Sequence, residues 1–129
     1  MKLSIILAFT ALLSIPVLAQ GQVAPTFENC THIATNSDMQ ICFDRTIRQH
    51  VLDTLKYPSG LEKEGMVLVK ITFDEKGQLQ EPEVMKSFSE FASNEALKVM
   101  KSLPRVVVPA TQNGTPVAIS YTFPVQFKK

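Results

Sequence analysis

The stretch Asn113 to Phe127, NGTPVAISYTFPVQF, decides the fold. From Val117 onward every odd position is apolar: Val117, Ile119, Tyr121, Phe123, Val125 and Phe127. The even positions between them, Ala118, Ser120, Thr122, Pro124 and Gln126, are small or polar. A period of two over this length predicts a strand with one buried face. Asn113-Gly114 ahead of it tolerates positive φ and predicts a turn. Pro124 has no N–H to give to a ladder, so the strand is expected at a sheet edge. A long edge carries a free row of backbone groups, which is either an aggregation hazard or a rail for a partner.

Working back toward the N-terminus, Ser93 is expected to cap a helix from Asn94 to about Leu103. Ala96, Val99, Met100 and Leu103 fall at helical spacing, and Pro104 stops it. Before it, Val67, Val69, Ile71 and Phe73 alternate with Met66, Leu68, Lys70 and Thr72, after Gly65. That segment has no proline and a half-apolar second face, which suits a central strand. Asp74-Glu75-Lys76-Gly77 reads as a hairpin turn. The return strand, Gln78 to Ser87, shifts its spacing near Gln80-Glu81, where a bulge is expected, and Pro82 places it at the other edge. An earlier helix is expected from an Asp44 cap to about Lys56, with Ile47, Val51 and Leu55 as its stripe and Tyr57-Pro58 ending it. The fold class is therefore α+β. It is a three-stranded antiparallel sheet, order 2-1-3, with both helices on its apolar face.

Residues 1–19 read as a secretory signal peptide. Lys2 precedes an almost unbroken apolar run from Leu3 to Leu13, Pro16 breaks it, and Val17-Leu18-Ala19 offers small residues for cleavage. A retained membrane anchor is the competing reading, disfavoured by the short, proline-containing run. Loss of Lys2 takes the 13 basic residues down to the number of acidic ones, 12. So even a balance argues against nucleic acid as a partner. Residues 20–43 are expected to be a lead-in, polar and flexible to Glu28, then irregular to Ile41. Residues 44–129 form the domain. Cys30 and Cys42 are an even pair in an exported chain and are expected to form a disulfide. Closing so short a loop stabilises a fold by roughly 3 kcal/mol. A metal site from Cys30, His32, Cys42 and His50 is the alternative, but those spacings match no ligand pattern.

No catalytic constellation is present. The sequence has no phosphate-cradling glycine loop, no G-x-S-x-G and no H-E-x-x-H. Its acids fall mainly in turns and on exposed faces, and His50 sits beside an apolar stripe without an acid or nucleophile partner. No enzyme activity, cofactor or metal is expected.

Tyr57-Pro58, Gly65 with Val67 to Phe73, Gly77, Glu95-Ala96-Leu97, Leu103-Pro104, Pro109-Ala110, Asn113-Gly114 and Phe123-Pro124-Val125-Gln126-Phe127 occur in an order and spacing that resembles the TonB C-terminal domain family. The likeness covers about Asp44 to Lys129. The pair Cys30 and Cys42 upstream resembles the extension of Bacteroidetes-type members. The resemblance implies a periplasmic module that grips outer-membrane transporters, whose TonB-box segment pairs as an added strand with the last strand of the domain. Carried onto this chain, the contacts fall at Ser120, Tyr121, Thr122, Phe123, Val125 and Gln126. It also implies a link to energy-dependent nutrient uptake through inner-membrane motor proteins. A full transducer keeps its anchor and has a long Pro-rich spacer. Here about 24 residues separate Ala19 from Asp44, a reach of roughly 80 Å at ~3.3 Å each. A soluble binding module is therefore the leading expectation. The alternatives are an anchored transducer and a homodimer paired through the same edge.

Overall fold

The computed structural model describes residues 21–129, so the leader expected at 1–19 lies outside the described residues. The elements in chain order are β1 (Gln22–Val23), β2 (Thr26–Phe27), a single 3-10 turn (Glu28–Cys30), α1 (Asn36–Thr54), β3 (Gly65–Phe73), β4 (Glu83–Lys86), α2 (Glu90–Lys101), β5 (Val106–Val108), β6 (Thr111–Gln112), β7 (Thr115–Pro116) and β8 (Ile119–Phe127). The main sheet is antiparallel with order β4-β3-β8, the arrangement expected from proline placement.

Alternation builds the core as read. Val67, Val69, Ile71 and Phe73 of β3 and Val125 and Phe127 of β8 are buried, while Ser120, Thr122, Pro124 and Gln126 are exposed. Both helices cover this apolar face. Ala92, Ala96, Val99 and Met100 of α2 and Phe43 and Ile47 of α1 are buried against it. The turns follow from their residues. Asn113 and Gly114 both have positive φ, 53° and 84°, and join β6 to β7 in a tight hairpin. Gly77 has φ 84° in the β3–β4 turn, where Asp74 Oδ1 accepts hydrogen bonds from the Lys76 and Gln78 amides.

Both helices start earlier than expected. Thr35 caps α1, its hydroxyl accepting from the Asp38 amide at 3.1 Å, and Asp44 lies in mid-helix. The stripe therefore begins upstream: Met39, Phe43, Ile47, Val51 and Leu55 step by four along one face. Likewise Ser89 caps α2, and Ser93 sits in its first turns with its hydroxyl 2.6 Å from that of Ser87.

The lead-in is ordered. β1 pairs with β6 and β2 with β5, both antiparallel. Ala24, Pro25, Thr26 and Phe27 are buried. The Phe27 ring stacks on Phe43 at 5.2 Å and meets Phe73 edge-on at 6.3 Å. Sheet, helix and lead-in thus share one aromatic centre. Cys30 and Cys42 are bonded, fastening the 3-10 turn to α1 over a separation of 12 residues. That bond removes both sulfurs from any metal-ligand set. His50 ties the helices together: its Nε2 lies 2.9 Å from the Val99 carbonyl oxygen and 3.0 Å from Ser102 Oγ.

Candidate functional site

Among the described residues, the open edge of β8 is the longest regular feature left without a neighbour. Its nine residues pair with β3 alone, in unbroken register from Gly65↔Phe127 to Phe73↔Ile119. One hydrogen bond fixes which backbone groups look outward. The Gln80 amide donates to the Thr72 carbonyl at 2.8 Å, so Thr72 turns its backbone toward the return strand. Thr72 faces Ser120, which makes that couple a non-hydrogen-bonded pair. Strict alternation follows: Ser120, Thr122, Pro124 and Gln126 turn their backbone groups to the open edge, while Tyr121, Phe123 and Val125 turn theirs to β3. Pro124 thus occupies an outward position, where a missing N–H costs the ladder nothing.

The six residues singled out from sequence on this strand divide accordingly. Ser120, Thr122 and Gln126 supply the outward rail, and their side chains are exposed on the face away from the helices. The side chains of Tyr121, Phe123 and Val125 turn under α1 into the core. Tyr121 packs on Phe43 with ring centroids 4.8 Å apart. Burial, with Asp44 nearby, raises the Tyr121 phenol above its ordinary range. The hydroxyls of Thr72 and Ser120, 2.7 Å apart, lock the beginning of the edge to β3.

Beside the rail runs an open, mainly apolar groove of about 290 Å³, walled by Ile47, Arg48, Val51, Leu52 and Leu55 of α1 and by Phe123, Pro124 and Gln126 of β8. Leu52 is 76% exposed, more than any other large apolar residue of the described chain. Sequence reading places Ile47, Val51 and Leu55 on the buried stripe but passes over Arg48 and Leu52. The adjacent pair Val51-Leu52 is the signal, because a second apolar residue widens the stripe past the core.

The other edge is guarded. Phe73 faces Leu79 while Lys70 faces Glu83, so the return segment carries one extra residue in that interval, close to the bulge expected at Gln80-Glu81. A second follows, because Val69 faces Val84 but Leu68 faces Lys86, leaving Met85 unpaired. The paired part, β4, is shorter than the strand expected from Gln78 to Ser87.

Among the described residues no helix is long and apolar enough to cross a membrane, and no group of three or more His, Cys, Asp or Glu side chains is placed to hold a metal. Comparison with curated proteins gives no match. Among solved structures the chain resembles the solution structure of the Helicobacter pylori TonB C-terminal domain. The two share 20% identity over 76% of this chain and 86% of that one, with a TM-score of 0.57, a likeness of fold. The family model for the C-terminal region of the Gram-negative bacterial TonB protein matches residues 55–128. The match takes in β3 through β8 and leaves α1 and the disulfide before it, and on it the chain belongs to the TonB C-terminal domain family.

Proposed function

We propose that this protein is a periplasmic binding module that captures an extended segment of an outer-membrane transporter as an added strand on β8. It would serve energy-dependent nutrient uptake. The observation that carries the reading is the regular nine-residue edge, left open along its full length by the described residues, in a chain of the TonB C-terminal family. Backbone pairing supplies affinity in such capture and makes no demand for a cofactor or for bond chemistry. Residues 1–19 are proposed to be removed on export, leaving a soluble module; the alternative, an anchored transducer, would keep them and work with the short spacer.

Thr122→Pro tests the edge. It deletes an outward N–H and thickens the rail, while the bonds to β3, made by the odd-numbered residues, remain. Peptides copied from the periplasm-facing ends of the host cell's transporters are titrated into the two proteins. The expected result is an affinity loss of about tenfold or more, with an unchanged circular dichroism spectrum. Equal binding by the variant defeats the proposal. The native N-terminus then separates the two forms: Gln20 in the soluble periplasm means capture without pulling, and Met1 in the inner membrane means a transducer.

A further inference from the structure

The groove between α1 and β8 lies where the side chains of an added strand must go. A guest paired to β8 runs about 4.8 Å from it, and every second side chain points to the helix side of the sheet. Along a strand those side chains recur every ~6.7 Å, and along a helix residues i and i+4 are ~6 Å apart. α1 therefore offers one residue per guest side chain along the edge. Near Tyr121 that residue is Asp44, and along Phe123 to Gln126 the wall is Arg48, then Val51, Leu52 and Leu55. Arg48 is exposed and makes no salt bridge among the described residues, and Leu52 is left open to water.

We infer that this groove selects the guest: it takes an extended segment with an apolar side chain against Leu52 and Leu55 and, two residues away on the same face, a carboxylate against Arg48. The inference rests on strand capture by β8 and adds to it a sequence preference set by α1, an element outside the family match. The occupant follows from two features of the wall. Its apolar part continues directly from the rail, so a guest held there covers the exposed Leu52. Among the described residues the only cation lining the groove is Arg48, which complements an acid and repels a lysine. Asp44, one turn earlier, sets the opposite preference at the next guest position.

Blocked ten-residue peptides on a threonine-serine background supply the test. One carries leucine and glutamate two residues apart. The second has lysine for the glutamate, the third serine for the leucine, and the fourth is the background alone. Each is titrated into the oxidised protein while amide shifts are followed by NMR, which registers millimolar binding and locates it. The expected result is that the leucine-glutamate peptide binds on the order of tenfold tighter than the others, shifting Ser120 to Gln126. Arg48→Glu should reverse the glutamate-over-lysine preference, and Leu52→Asp should abolish the preference for leucine. Both residues are exposed, so their variants are expected to fold. If all four peptides bind alike and Thr122→Pro abolishes every one, the groove inference falls and strand capture stands. If no peptide binds, or if binding survives Thr122→Pro, both fall together.

Discussion

The two edges of the main sheet face the same solvent and are treated in opposite ways. The β4 edge is four residues long, is preceded by Pro82, and has one unpaired insertion just before it and a second within it; it carries exposed Glu83, Met85 and Lys86. The short length, the proline, the insertions and the charges of Glu83 and Lys86 discourage pairing with another chain. The β8 edge is nine residues long with no shift of register, and the four side chains at its outward-facing positions are uncharged. One edge is closed by bulges and charge and the other is kept straight. An edge that a neighbour is meant to join must be regular, because a guest can follow only an evenly spaced ladder. Pro124 limits the rail at a single donor without bending it out of register.

The edges also differ in what backs them. β8 leans on α1 through Tyr121 and Phe43, whereas β4 meets α2. Phe43 has contacts with Phe27, Phe73 and Tyr121, so Phe43→Ala opens a cavity at the point where lead-in, sheet and helix converge. It should cost about 3–5 kcal/mol in urea denaturation, the largest effect anticipated, and should loosen β8 before β4. Replacing both Cys30 and Cys42 by serine should cost about 3 kcal/mol, since the bond fastens the second turn of α1 to the lead-in. If that double variant loses stability but the β8 amides keep their protection, α1 is not what holds the guest-ready edge in place.

Hydrogen exchange gives a finer reading. In the free protein the amides of Tyr121, Phe123 and Val125 should exchange slowly and those of Ser120, Thr122 and Gln126 quickly, a difference of about tenfold or more. On adding a transporter peptide, the second group should slow and the β4 amides stay unchanged. Slow exchange throughout β8 in the absence of peptide, together with a doubled mass in solution, would show the edge already occupied by a second copy.

The contrast between the edges was largely legible in the residues. Alternation in Val67 to Phe73 and Ile119 to Phe127 is local and persists for seven residues in the first and nine in the second, so it located the central strand and the open edge. Pro82 and Pro124 sorted the order because a missing donor is a property of one residue. What escaped was set by contacts distant in sequence. The lead-in has no period of its own, and Phe27 is buried only because β5 and α1 come to meet it. The helix starts were misplaced where two caps competed: Asp44 and Ser93 are good N-caps in isolation, but Thr35 and Ser89 lie before longer apolar ladders, Met39 to Leu55 and Ala92 to Met100. Extending each ladder backward by four would have found them. The groove was hidden for a related reason, since an exposed Leu52 on a helix face gains meaning only once β8 is placed beside it.

The smallest expected effect tests whether the guarded edge is truly idle. Met85 is the extra residue of a bulge and is 52% exposed, so it has no cross-strand partner and little packing to lose. Met85→Thr keeps the strand length and the bulge while removing an apolar side chain from that edge. Its stability should stay within about 0.5 kcal/mol of the parent. Peptide-induced protection at Thr122 should be unaltered, because β3 lies between the two edges and its register with β8 does not depend on the Met85 side chain. A loss of peptide binding in this variant would mean that the guest reaches across the open face of the sheet to Met85. The asymmetry between the edges would then describe only where binding begins.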